Sequence, residues 1–190
     1  AYSASASVRS DKEHLDQLHG NMSFSSKGLA RNQQAMSDLM QESLEHARFD
    51  ELSRLRELVS QIRTYRESSI TGNGHVLAMT AAASGLSANG YLSQRWGGMA
   101  GLASLKTLDQ SLESNTGLEA LSAQLAAIHK LVLQQPRQYL LVAEGERLQG
   151  FAEVMQNSFS DTGAVPASNL ISYQPTLAPV NHCWTTNTQV

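Results

Sequence analysis

Residues 49–75, FDELSRLRELVSQIRTYRESSITGNGH, constrain this chain more than any other stretch. Leu52, Leu55, Leu58, Val59, Ile62 and Tyr65 recur at steps of three and four, the spacing that lines one face of an α-helix. Asp50 stands where an N-cap belongs, and the small residues from Ser68 to Gly74 close the pattern. A helix of about five turns with one apolar stripe must bury that stripe on a sheet or on a helical layer. With a sheet as its floor, Leu52, Leu55, Leu58, Val59 and Ile62 are the expected contact residues.

The remainder of the chain supplies both kinds of element. Tyr2–Val8 and Met22–Leu29 alternate small and polar residues and read as two antiparallel strands joined by the polar stretch 10–21. Asn32 offers an N-cap for a helix carrying Met36, Leu39, Met40 and Leu44 and ending near Ala47. Val76–Leu86 is Ala-rich and helical by propensity, and Ala88–Trp96 continues as a further helix. The run Gly97-Gly98-Met99-Ala100-Gly101 interrupts it, because glycine in a helix interior costs about 1 kcal/mol per residue. Leu102, Leu105, Leu108 and Leu112 then resume helical spacing. Thr116-x-x-Glu119 has the form of a capping box ahead of Leu118, Leu121, Leu125, Ile128 and Val132. Pro136 closes that helix, Gln138–Glu144 reads as a buried strand, and Glu146–Phe159 returns to helical spacing.

From Ser160 the character changes. Asp161–Ser168 is linker-like, and Leu170–Tyr173 and Asn181–Val190 read as strands, with Thr185, Thr186 and Thr188 supplying β-propensity. The expected fold class is α+β: an antiparallel sheet of few strands with several helices packed on one face. The expected division is a domain over residues 1–159, followed by a linker and the first strand of another domain over 160–190.

A net charge of −3 and a pI near 6.1 argue against nucleic acid or an anionic membrane as partner, since phosphate binding needs clustered positive charge. No apolar run reaches the length needed to span a bilayer. The single cysteine, Cys183, rules out an internal disulfide and a Cys-rich zinc site. The start, Ala-Tyr-Ser, has no basic region and no apolar core of a signal peptide; it reads as the cut edge of a longer protein.

Six histidines are the first candidates for chemistry. Glu42-Ser43-Leu44-Glu45-His46 approaches the inverted zinc motif H-x-x-E-H, but Glu42 replaces the first histidine, and an ordinary helix end is the better reading. His14, His19, His75 and His129 lack a second ligand at metal-site spacing. Gly72-Asn73-Gly74 follows a helix rather than a strand and has no Gly-Lys-Ser/Thr, so it is not a phosphate loop. No G-x-S-x-G elbow anchors a serine nucleophile. His182 and Cys183, as neighbours on a strand, point to opposite faces and cannot pair. Arg54, Arg56, Arg63 and Arg66, interleaved with Glu51, Glu57 and Glu67, read as a solvated mixed-charge face. No catalytic, cofactor-binding or metal residue is assigned.

Several words occur in a telling order: Ser3-Ala4-Ser5, Phe24-Ser25-Ser26, Arg31-Asn32, Phe49-Asp50-Glu51, Thr71-Gly72-Asn73-Gly74-His75, Gly97-Gly98-Met99 and Leu105-Lys106. Together they resemble the C-terminal half of presequence-protease-like zinc peptidases of the insulinase/pitrilysin group. The resemblance implies an insulinase-type α/β roll: residues 1–159 as the later part of a third domain, and 160–190 as the start of a fourth. It further implies a non-catalytic portion that walls a peptide-degrading chamber and helps exclude folded substrates. Zinc would belong to the parent enzyme and not to this portion. The implied partners are the parent's remaining domains and its peptide substrates, in a bacterial cytoplasm or an organelle lumen. A different class of function also fits the residues: an autonomous helical interaction module with an exposed strand edge or groove, open to strand-mediated self-association.

Overall fold

A computed structural model describes residues 1–14 and 17–159. The protein is α+β and mostly helical. Strands β1 (Tyr2–Ser10) and β2 (Leu18–Ser26) form a two-stranded sheet. A short 3-10 turn at Ala30–Asn32 leads into α1 (Gln33–Glu45). There follow α2 (Leu52–Ser68), α3 (Ile70–Ala83), α4 (Ala88–Trp96), α5 (Met99–Ser111), α6 (Asn115–Leu133) and α7 (Gly145–Ser158). The described residues divide into two compact units. One holds 1–7, 20–48 and 126–159; the other holds 8–14, 17–19 and 49–125.

The strands are antiparallel. Ala1 and Lys27 exchange both backbone hydrogen bonds at 2.9 Å. Ser3 Oγ meets Ser25 Oγ at 2.8 Å, and Asn21 Nδ2 donates to Ser7 Oγ at 3.1 Å. Pairing runs on to Asp11, whose N–H donates to the Gln17 carbonyl at 2.8 Å, so the connection is shorter than the polar stretch 10–21 suggests.

In the first unit, α1 packs on α7. Ser37 Oγ donates to Met155 Sδ at 3.2 Å in the seam between them, and both side chains are buried. Phe159, just past α7, is buried and stacks at a tilt against Tyr139, ring centroids 5.4 Å apart. Arg137 lies 3.7 Å from Glu45, the last residue of α1.

In the second unit, α5 is the hub: it packs on both α2 and α4, while α3 packs on α4 and α2. Leu102 and Leu112 of this hub region are buried, as is Leu118 at the start of α6. The corners are tight because glycines stand where the next helix begins. A Cβ on Gly90 would lie 2.2 Å from the Ala83 carbonyl oxygen, and one on Gly117 would lie 2.0 Å from that of Ser111. Both corners share one cap: Ser87 Oγ accepts from the Gly90 N–H at 3.0 Å, and Ser114 Oγ accepts from the Gly117 N–H at 3.1 Å. Ser114, rather than Thr116, therefore caps α6, because the helix starts at Asn115 and Thr116 already lies inside it.

Three further expectations are corrected. The apolar stripe of α2 packs on α5 rather than on a sheet; Leu52, Leu55 and Val59 are half-buried, but Leu58, Ile62 and Tyr65 are exposed, Tyr65 by 74%. The stripe is two rows wide and a single helix covers one of them. The small residues do close α2, at Ser68, but helix resumes at once: α3 begins at Ile70 and is kinked at Asn73 (φ −122°, ψ 17°). Asn73 Nδ2 donates back to the Ser69 carbonyl at 3.1 Å at that kink. Residues 138–144 form no strand, and the sheet among the described residues has no strand beyond β1 and β2. The expected linker and strands at 160–190 lie outside the described residues.

Candidate functional site

Several side chains that could carry chemistry are engaged in turns, helix ends and interhelical pairs. Asp11 opens the turn between the strands. Its Oδ1 accepts the N–H groups of Glu13 (2.8 Å) and His14 (3.0 Å), and its Oδ2 sits 3.0 Å from His19 Nε2. These contacts, the two backbone donors foremost and His19 after them, lower its pKa from 3.8 to about 2. An anion stabilised this way closes a turn; it is a poor proton acceptor at neutral pH.

The side chains of the near-motif at the end of α1 are placed as follows. Glu45 faces Arg137, and His46 is an exposed C-cap whose N–H donates to the Glu42 carbonyl at 2.9 Å. His129 Nε2 lies 2.6 Å from the Leu44 carbonyl oxygen, so that nitrogen carries the proton and donates, satisfying a carbonyl in the last turn of α1. His75 lies exposed on α3. Among the described residues, no group of three or more His, Cys, Asp or Glu side chains could hold a metal ion. His182 and Cys183 lie outside the described residues.

The arginines of α2 depart from the expected solvated face. Arg54 fits it, pairing with Glu57 along the exposed surface at 2.6 Å. Arg63 instead reaches across to α5, its Nε 2.8 Å from Asp109 Oδ2, and its Nη1 bonds Glu67 at 3.2 Å. Lys106 of α5 returns to Glu67 at 3.0 Å. Arg63 Nε lies off hydrogen-bond alignment, so its link to Asp109 is a charge pair and not a directed bond. Arg66 donates to the Trp96 carbonyl at the end of α4. This lattice ties α2 to its neighbours. Arg63 and Glu67, four apart on α2, and Lys106 and Asp109, three apart on α5, are opposite-charge pairs at helical spacing that the sequence displays.

Two of the hollows lined by described residues are candidates for a site. A groove of about 650 Å³ runs along the outer side of α2, and its described lining, from Ser53 to Tyr65, belongs to that helix alone. A smaller cavity of about 220 Å³ is lined by Arg66, Ser69, Ile70, Leu77, Met99 and Leu102, together with Gly97 and Gly98. Next to Gly98 lies Gln94, 5% exposed, with neither amide atom hydrogen-bonded among the described residues. A Cβ on Gly98 would stand 1.8 Å from Gln94 Oε1 and 2.9 Å from the Gln94 carbonyl oxygen, so a larger residue there would have to displace the Gln94 side chain. Neither described lining gathers a nucleophile, a base and an oxyanion donor.

Comparison with known proteins supplies what the geometry does not. Residues 2–108 match the family of associated domains that accompany the M16 peptidases of subfamily C. Over 165 residues, 86% of this chain, the sequence is 24% identical to presequence protease 1, chloroplastic/mitochondrial, of Arabidopsis thaliana. Over 97 residues, 51% of this chain, it is 34% identical to the mitochondrial presequence protease of Danio rerio. The aligned regions span 15% and 10% of those two relatives. No helix of the described residues is long and apolar enough to cross a membrane. With more than half of its length matched by one family model, the chain belongs to this peptidase-associated family.

Proposed function

We propose that this chain is a non-catalytic portion of a zinc peptidase, a domain over residues 1–159 with the start of a further domain over 160–190. It walls a chamber in which the parent's other domains degrade peptides, and it contributes surface and shape to the exclusion of folded substrates. The observation that carries the reading is the family match over residues 2–108. It is supported by side chains spent on turns, caps and interhelical pairs: Asp11 on a turn, His129 on a carbonyl, Arg63 and Glu67 on α5. Zinc in this reading is held by the parent's catalytic domain, and the compartment is that of the relatives, an organelle lumen.

The test is hydrolysis of an unstructured peptide by the purified 190-residue chain, with zinc added and then with a chelator. No cleavage above buffer is expected in either condition. Cleavage that zinc supports and the chelator abolishes would overturn the reading.

A further inference from the structure

Two Asn-Gly pairs occur in the sequence, Asn73-Gly74 and Asn89-Gly90, and both lie in helices. In such a pair the next backbone nitrogen reaches the asparagine side-chain amide more easily than in any other, because glycine has no Cβ to obstruct the approach. The surroundings of the two pairs differ. Asn73 is the kink of α3, outside the helical region of φ and ψ, and residues 71–75 are all exposed. An added Cβ on Gly74 would meet nothing within 4 Å, and the same holds for Gly72 on the other side. The Asn73 side chain is engaged through an exposed hydrogen bond, Nδ2 donating to the Ser69 carbonyl at 3.1 Å. Asn89 is exposed too, but it stands in the first turn of α4 and its glycine is fixed. The Gly90 N–H donates to Ser87 Oγ at 3.0 Å, and a Cβ on Gly90 would lie 2.2 Å from the Ala83 carbonyl oxygen. The nitrogen that would attack Asn89 is tied down, whereas the backbone at Gly74 has room to move.

We propose that Asn73 is a site of covalent self-modification: the chain loses the Asn73 amide through a succinimide formed with Gly74, while the fold spares Asn89. The Gly74 backbone nitrogen gives its proton to base in the solvent and attacks Asn73 Cγ. The Cγ–N bond forms, the Cγ–Nδ2 bond breaks, and Nδ2 leaves as ammonia with a proton taken from solvent. Water then opens the ring. Opening at Cγ gives aspartate; opening at the Asn73 main-chain carbonyl carbon gives isoaspartate, whose backbone runs through the former side chain. Water is the co-reactant, and nothing is oxidised or reduced. Both products remove the Nδ2 donor from the Ser69 carbonyl and add a negative charge at the kink. At Asn89 the same closure must first detach Gly90 from Ser87 and shift it against the Ala83 carbonyl, so the tight corner before α4 raises the barrier.

Incubation of the full chain at mildly alkaline pH, folded and in parallel unfolded in urea, tests the proposal. Peptide mapping by tandem mass spectrometry separates position 73 from position 89, and an isoaspartyl methyltransferase reads isoaspartate. In the folded chain both isoaspartate and aspartate are expected at 73, with Asn89 converting more slowly by about tenfold or more. In urea the two sites are expected to convert at comparable rates, since the corner at Gly90 no longer exists. Gly74→Ala, whose methyl group meets open space, should keep the circular dichroism spectrum and slow conversion at 73 by about tenfold. An intact Asn73, or an Asn89 that converts as fast as Asn73 in the folded chain, would overturn the proposal. So would aspartate without isoaspartate at 73, which marks direct hydrolysis, or a rate at 73 untouched by Gly74→Ala. An equal preference for 73 in urea would place its cause outside the fold and overturn it as well.

Discussion

The hydroxyl of Ser37 donates to the sulfur of Met155 at 3.2 Å, a contact between residues 118 apart in sequence that locks α1 to α7. Both side chains are buried, so the contact lies inside the packed seam. Sulfur is a weak acceptor, and its loss leaves little unsatisfied. Ser37→Ala is expected to change stability by about 1 kcal/mol or less, and Met155→Ala to destabilise by about 2–5 kcal/mol through the cavity it opens. Urea denaturation of the two variants separates these effects; equal losses would mean that packing does not dominate the seam.

Leu112 and Ile62 are both branched aliphatic residues on helical stripes, with opposite fates. Leu112 is fully buried, and Leu112→Ala is expected to cost about 2–5 kcal/mol. Ile62 lies on the row of α2 that α5 leaves uncovered, and Ile62→Ala should fall within about 0.5 kcal/mol of wild type. Thermal melts monitored by circular dichroism read both. A large loss at Ile62 would show that its row is covered in solution.

Glycine-to-alanine substitutions should differ in sign according to what the new methyl group meets. Gly150 lies in α7 with nothing within 4 Å of an added Cβ, so Gly150→Ala should stabilise by about 0.5–1 kcal/mol. Gly117 lies at the first turn of α6 with the Ser111 carbonyl oxygen 2.0 Å from the same position. Gly117→Ala should destabilise by about 1–3 kcal/mol despite alanine's higher helix propensity. Opposite shifts in unfolding midpoint are the expected result.

The turn at Asp11 should respond to acid. Its carboxyl is held at about 2 in the folded chain, below the ordinary value of 3.8, so the folded state favours the anion. The stabilisation is complete above the ordinary carboxylate pKa, declines as pH falls through it, and is gone below about 2. Amide chemical shifts of Glu13 and His14 should therefore move together as pH falls from 3.8 towards about 2, following Asp11. In Asp11→Asn that concerted step should be lost; a wild-type midpoint at the ordinary 3.8 would show that the backbone donors are not engaged.

Helical stripes were legible because they depend on local spacing. The sequences of α1, α4 and α7 mark those helices closely, since their contacts recur every turn. What pairs with what was less legible. The α2 stripe names a buried face but not its partner, and its charged residues gave no sign that Arg63 and Arg66 reach other helices while Arg54 stays on its own surface. Residues 138–144 have a strand's composition, yet a strand exists only with a neighbour, and none of the described residues supplies one. The close of α2 was legible, since it ends at Ser68, but the resumption of helix at Ile70 was not, because Gly72 and Gly74 lower helix propensity without forbidding helix and no described residue there takes a positive φ. The family resemblance rested on short words in order, several of them at corners such as Gly97-Gly98, where a Cβ on Gly98 would meet Gln94. As for chemistry, the histidines could be weighed only as spacings in the sequence; the structure adds that His19 and His129 are engaged with a turn carboxylate and a helix-end carbonyl.

Whether this chain carries its family's chemistry or only its scaffold is decided most directly by equilibrium dialysis of the purified 190-residue protein against zinc, followed by metal analysis and a peptide-cleavage assay on the same sample. Metal no higher than in a non-binding control protein, with no cleavage, is the result predicted for a non-catalytic portion. One tightly held zinc per chain accompanied by peptide cleavage would contradict it.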